Sequence, residues 1–186
     1  MDGFLQDVGG LLISVIFGLY IFMLLLRLIF QILRADFYNP MSQAIVKITN
    51  PPLLPLRRII PGLWGIDLAS VVLIIILQAI EIWLLLALKG IPVTIPLLLI
   101  VTVGYLLKSV VWIFLGAIFI RIILSWIAPP GGMRNPVVGL VYSVSEPIMR
   151  PARRILPPMA GLDLSPMLVI IVLYILLMAI NRLFGV

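Results

Sequence analysis

Two short stretches hold most of the residues that can do chemistry: PLRRIIPGLWGIDL, from Pro55 to Leu68, and PARRILPPMAGLDL, from Pro151 to Leu164. Each sets an arginine pair, Arg57 with Arg58 or Arg153 with Arg154, shortly before a carboxylate, Asp67 or Asp163. A guanidinium group presents a planar fork of donors that suits phosphate and carboxylate, so the chemistry on offer is anion recognition or ion pairing. Acid–base catalysis wants unlike environments for its two groups, and two aspartates in matching copies argue against it. A second polar set, Gln78, Glu81 and Lys108, falls inside long apolar runs. A carboxyl group at that depth must be neutral, paired or beside water, so a Glu81–Lys108 contact is expected, with Gln78 one turn from the glutamate. The chain has no histidine and no cysteine. Disulfides, thiolate or imidazole metal sites and the commonest nucleophiles and bases are thereby excluded, and no cofactor or enzymatic activity is expected.

The elements that must position these residues are membrane helices. Hydrophobic residues make up 63% of the 186 and charged residues only 11%, a balance no soluble domain carries. Mean hydropathy is +1.30. A bilayer core of about 30 Å needs roughly 20 apolar helical residues, and four stretches qualify: Val8 to Leu33, Leu68 to Leu88, Val101 to Ile127 and Pro166 to Phe184. The intervening IPVTIPLLLIV, broken by Pro92 and Pro96, either extends the third span or lies re-entrant. The first ten residues lack the positive region of a signal peptide, so the first span reads as a retained anchor.

Basic residues set the orientation. Arg34, Lys47, Arg57 and Arg58 lie between the first two spans, and Arg134, Arg150, Arg153 and Arg154 between the last two. Both loops are expected in the cytoplasm and both termini outside, in the periplasm of a bacterial inner membrane. The net charge of +6 then points to anionic lipid headgroups rather than nucleic acid. Arg27 and Arg121 lie about 9 Å inside their spans, within reach of the interface by snorkelling.

Residues 39–68 overlay residues 135–164 without a gap, with eleven identities in thirty positions. The repeated unit is span, basic loop, span, over residues 8–88 and 102–184 with an apolar connector at 89–101. Two spans per unit predict that both copies cross in the same sense, about a pseudo-twofold axis along the membrane normal. In each copy Asn39 or Asn135 is an N-cap and Pro40 or Pro136 opens a short amphipathic helix expected to lie on the membrane surface. Pro51 and Pro147 should turn the chain after it. Pro55 or Pro151 then opens one turn carrying the arginine pair, Pro61 or Pro157 closes it, and Gly65 or Gly161 permits a turn before Asp67 or Asp163 caps the next span or pairs with an arginine.

This order of residues, from Asn39 through Asp67 and again from Asn135 through Asp163, resembles the YggT family of bacterial inner-membrane proteins, with Ala69 a departure where the second copy keeps Ser165. The resemblance implies an all-α protein of four transmembrane helices in two tandem repeats without established enzyme activity. It further implies links to osmotic-shock tolerance, to division and nucleoid placement, and, in chloroplast relatives, to cytochrome maturation. Beside that resemblance the residues support two readings. One is an adaptor that docks lipid or a membrane-protein partner through Arg57, Arg58, Arg153 and Arg154, with self-association open. The other is a small channel or transporter built around Glu81 and Lys108. Haem handling ranks last, for want of histidine and cysteine ligands.

Overall fold

In lipid an apolar run satisfies its backbone within a helix, and the computed structural model of this chain, which describes residues 2–63, 65–127, 135–156 and 163–186, contains six helices. They are α1 (Asp2–Ile32), α2 (Pro40–Ile59), α3 (Leu68–Leu88), α4 (Ile95–Ile127), α5 (Pro136–Ile155) and α6 (Ser165–Phe184). α1, α3, α4 and α6 are long and apolar enough to cross a membrane. Between 22% and 33% of the residues in their most apolar windows are buried inside the protein, which leaves the larger part of each span for lipid to cover.

The packing repeats. α1 lies against α3 and α2, α4 lies against α6 and α5, and α3 joins α4 between the halves. Asn39 Nδ2 donates to Pro136 O at 2.7 Å, so α2 and α5 begin side by side at one end of the bundle. One apolar core joins Leu24, Leu25 and Ile29 of α1 to Leu53 of α2, Leu73 and Ile74 of α3, Ile113 of α4 and Val144 of α5. A second joins Leu115 and Ile118 of α4 to Met149 and Ala152 of α5 and to Leu173 and Leu177 of α6.

The segment before the third span takes one of its two expected forms, an extension of that span from Ile95 onward, with residues 91–94 non-helical: Leu98 N donates to Thr94 O at 2.9 Å, and Pro96 sits in the first turn, where a missing N–H is harmless. One expectation changes: the chain does not turn at Pro51 and Pro147. α2 runs through Pro51, Pro52 and Pro55, and α5 through Pro147 and Pro151. Pro51, Pro55, Pro147 and Pro151 are exposed, so the backbone carbonyls they deprive of a partner lie on the outward side. Meanwhile Ser42, Thr49 and Leu53, with half-buried Ile45 and Val46 between the first two, and in α5 Val141, Ser145, Met149 and Ala152, form stripes that face the protein. Tertiary packing of the stripe outweighs the local proline penalty.

The ends of α4 and α6 meet at a glycine. A Cβ on Gly104 would lie 2.5 Å from the Phe184 Cβ and 3.1 Å from Val186 Cγ2, a clash that no side-chain rotation relieves. Gly104→Val should therefore lower stability by about 1–3 kcal/mol, the usual cost of overpacking, in reversible unfolding from mixed micelles. An unchanged midpoint would mean that α4 and α6 do not approach so closely.

Candidate functional site

Asn39 Oδ1 accepts from Met41 N at 2.9 Å and Asn135 Oδ1 from Val137 N at 3.0 Å, which anchors the starts of α2 and α5, with Pro40 and Pro136 in their first turns. At their far ends each helix turns back toward a span. α2 stops at Ile59, ahead of Pro61. Leu63 and Ile66 then exchange backbone hydrogen bonds at 3.1 and 2.9 Å around a turn in which Gly65 adopts φ +80°, a value that favours glycine. Gln31 Nε2 ties that turn to α1 through Gly65 O at 2.9 Å. The counterparts Pro157 and Gly161 lie outside the described residues.

The turn brings Asp67 onto Arg57. Asp67 Oδ2 accepts from Arg57 Nε at 3.1 Å, from Arg57 Nη2 and from the Ser70 hydroxyl. In the second copy Asp163 Oδ2 accepts from Arg153 Nε at 3.0 Å, while its Oδ1 accepts from Ser165 N at 3.0 Å. Pairing thus recurs in both copies, whereas backbone capping by the aspartate occurs only in the second. Burial alone would raise both carboxyls. The hydrogen bonds and charge of Arg57 together with Ser70, and of Ser165 together with Arg153, hold them below the ordinary aspartate range instead. The four arginines expected to act alike therefore divide: Arg57 and Arg153 are held by aspartates, while Arg58 and Arg154 are exposed and have no ion-pair partner among the described residues.

A second pair of arginines does what sequence reasoning missed. Arg27 and Arg121 are 8% and 6% exposed, their guanidinium groups turned onto α2 and α5. Arg27 Nη1 donates to Thr49 Oγ1 at 2.6 Å, to Asn50 Oδ1 at 3.0 Å and to Val46 O at 3.4 Å. Arg121 Nη1 donates to Ser145 Oγ at 2.9 Å, Nη2 donates to Glu146 Oε2 at 2.8 Å, and the guanidinium lies 4.4 Å from the centre of the Tyr142 ring. Thr49 and Ser145 pass the bond on to the carbonyls of Ile45 and Val141, both at 2.7 Å. The signal was available: a hydroxyl residue recurs at 49 and 145 beside a polar one at 50 and 146. Glu146 also meets Arg150 Nε at 3.3 Å and Arg153 Nη1 at 3.4 Å. Burial would raise its carboxyl, but the Arg121 hydrogen bond and the surrounding guanidinium charges keep it below the ordinary glutamate range.

The expected Glu81–Lys108 contact is not made. Glu81 Oε2 accepts from Gln78 Nε2 at 2.9 Å, and Lys108 Nζ lies 5.9 Å from the centre of the Tyr105 ring. Tyr105, Ser109 and Trp112 share the Glu81 cleft. At about 100° per helical residue, Lys108 is rotated off the side that Ser109 presents.

Four membrane-length helices in two like-built halves, each with a polar loop helix clamped to its span by a buried arginine, define a multi-pass helical membrane protein. The match to known proteins is specific. A family model described as CCB3/YggT matches residues 8–88 and again 100–184, and the chain belongs to that family. It is 45% identical over 178 residues to an uncharacterized protein of Pseudomonas aeruginosa, covering 89% of this chain and 85% of that one. It is 36% identical over 169 residues to the uncharacterized protein YggT of Escherichia coli K12, covering 91% and 87%. It is 40% identical over 176 residues to an uncharacterized protein of Vibrio alginolyticus, covering 94% and 91%. No solved structure matches the chain significantly.

The Glu146 cluster makes a signed prediction. A carboxyl whose folded-state value is depressed stabilises the fold fully above its unfolded value, about 4.3 for glutamate, and loses that contribution as pH falls through the folded value. Glu146→Gln should therefore be less stable than the parent at pH 7 and lose less on acidification from about pH 5 to 3. Asp67 and Asp163 still titrate in the variant, so its acid limb is shallower rather than flat. Thermal unfolding in detergent across that range checks this, and parallel limbs would contradict it.

Proposed function

We propose that the chain is a non-enzymatic adaptor of the bacterial inner membrane. In this reading α2 and α5 rest on the cytoplasmic leaflet, both termini are periplasmic, and Arg58 and Arg154 dock anionic headgroups or a membrane-protein partner. The role served is tolerance of osmotic shock or organisation of the envelope and division. The observation that carries it is a repeated pair at the ends of α2 and α5: exposed Arg58 beside Ile59, 79% exposed, and exposed Arg154 beside Ile155, 71% exposed. An apolar side chain next to a guanidinium suits a headgroup boundary, and a cation in the last turn of a helix is favoured by the helix dipole. Arg57 and Arg153, held by aspartates, stiffen the elbow that presents them. A small channel or transporter serving osmotic or ion homeostasis is the second reading, favoured by the Glu81–Gln78 cleft of about 300 Å³.

Cysteines introduced singly at positions 58 and 154 should react with an impermeant maleimide in inverted vesicles and not in intact spheroplasts. In bilayers of mixed lipid, Arg58→Gln with Arg154→Gln should lower the enrichment of anionic lipid around the protein by roughly fivefold per arginine, equivalent to about 1 kcal/mol each. Unchanged enrichment would contradict docking. Solute flux in liposomes under an osmotic gradient, abolished by Glu81→Ala, would favour the transport reading.

A further inference from the structure

The two halves differ in one respect that bears on a ligand. In the second repeat Glu146 is the acceptor for Arg121, Arg150 and Arg153. In the first repeat the matching position is Asn50, and Arg27 has only neutral acceptors in Thr49, Asn50 and Val46. There a cavity of about 520 Å³ opens between the end of α1 and α2, lined by Arg27, Arg34, Arg57, Gln31, Ser42 and Asn50. Among the described residues no carboxylate lines it. Asp67 touches Arg57 without lining the cavity and balances one of the three positive charges. The Ser42 hydroxyl, 4% exposed, has no hydrogen-bond partner, and a buried polar atom left so is costly. Its counterpart in the second repeat is Val138, which needs no partner.

We infer that the first repeat holds a binding pocket for a phosphate group, placed against Arg27, Arg34, Arg57 and Ser42 where the second repeat supplies its own Glu146 carboxylate. Arginine forks bind tetrahedral oxyanions by paired, charge-assisted hydrogen bonds. The cavity lies in the size range of small-molecule sites and has room beyond one phosphate. Phe30, Phe37 and Leu54 in its wall give an apolar remainder somewhere to rest. The phosphate belongs to a lipid headgroup or to a free anion. The inference shares with the docking reading only the exposure of α2 to the anion; Arg58 and Arg154 do not line the cavity.

The test uses the full chain in phosphatidylcholine nanodiscs, titrated with inorganic phosphate by calorimetry and with short-chain phosphatidylglycerol by native mass spectrometry. The parent should bind one equivalent of at least one probe. Binding of phosphate marks a free anion as the source, and binding of phosphatidylglycerol alone marks the headgroup. Asn50→Glu, which copies the second repeat, should weaken binding by about tenfold or more, as expected when charge-assisted bonds are lost to an internal carboxylate. Ser42→Val, which also copies the second repeat, should weaken binding severalfold and decides the matter if Asn50→Glu does not fold. Saturable binding of neither probe, or binding unchanged in Asn50→Glu or in a folded Ser42→Val, overturns the inference. Arg58→Gln with Arg154→Gln should leave this binding intact, so failure of the docking reading is scored separately.

Discussion

A guanidinium buried at the end of a membrane span must find acceptors or be expelled, and this protein meets that constraint by bringing a second helix to it. Arg27 reaches Thr49 and Asn50, and Arg121 reaches Ser145 and Glu146. Removing one partner of a buried charge typically costs about 3–5 kcal/mol, far more than an exposed ion pair is worth. The polar contacts therefore bind each loop helix to its own span. The loop helices then deliver Arg57 and Arg153 to the aspartates at the start of α3 and just before α6, which closes each half into a unit.

The prolines make sense against that clamp. Interior prolines normally end helices, yet α2 carries three and α5 two. They are tolerated because the buried stripe on the opposite face, anchored by Thr49 and Ser145, fixes the helix from outside itself. The same arrangement limits the ways the last turn can move, so Arg58 and Arg154 stand where the fold holds them. The second repeat closes its polar site internally with Glu146, whereas the first leaves an arginine-lined cavity open.

Much of this was legible in the sequence, for reasons that differ by element. α3 runs from Leu68 to Leu88 as hydropathy predicts, because Asp67 and Lys89 bound a run of purely membrane length. α4 begins six residues before the expected Val101, since a proline in a first turn looks like a break when only the residue type is read. The Arg57–Asp67 and Arg153–Asp163 pairs were within the expected alternatives. Which arginine of each adjacent pair is held was not, because neighbouring helical residues point about 100° apart and only the turn at Gly65 decides which one faces back. Helical phase also defeated the Glu81–Lys108 pair. The Arg27 and Arg121 clamps were hidden by a change of partner between copies, Thr49 to Ser145 and Asn50 to Glu146, which preserves the chemistry while erasing the identity.

The clamp itself is most directly tested by amide hydrogen exchange of the protein in nanodiscs after Arg121→Met, read helix by helix. If the buried guanidinium holds the loop helix to its span, the α5 amides should lose protection while α2, still clamped by Arg27, retains it. Protection of α5 equal to that of the parent, or loss spread evenly over both halves, would contradict this account.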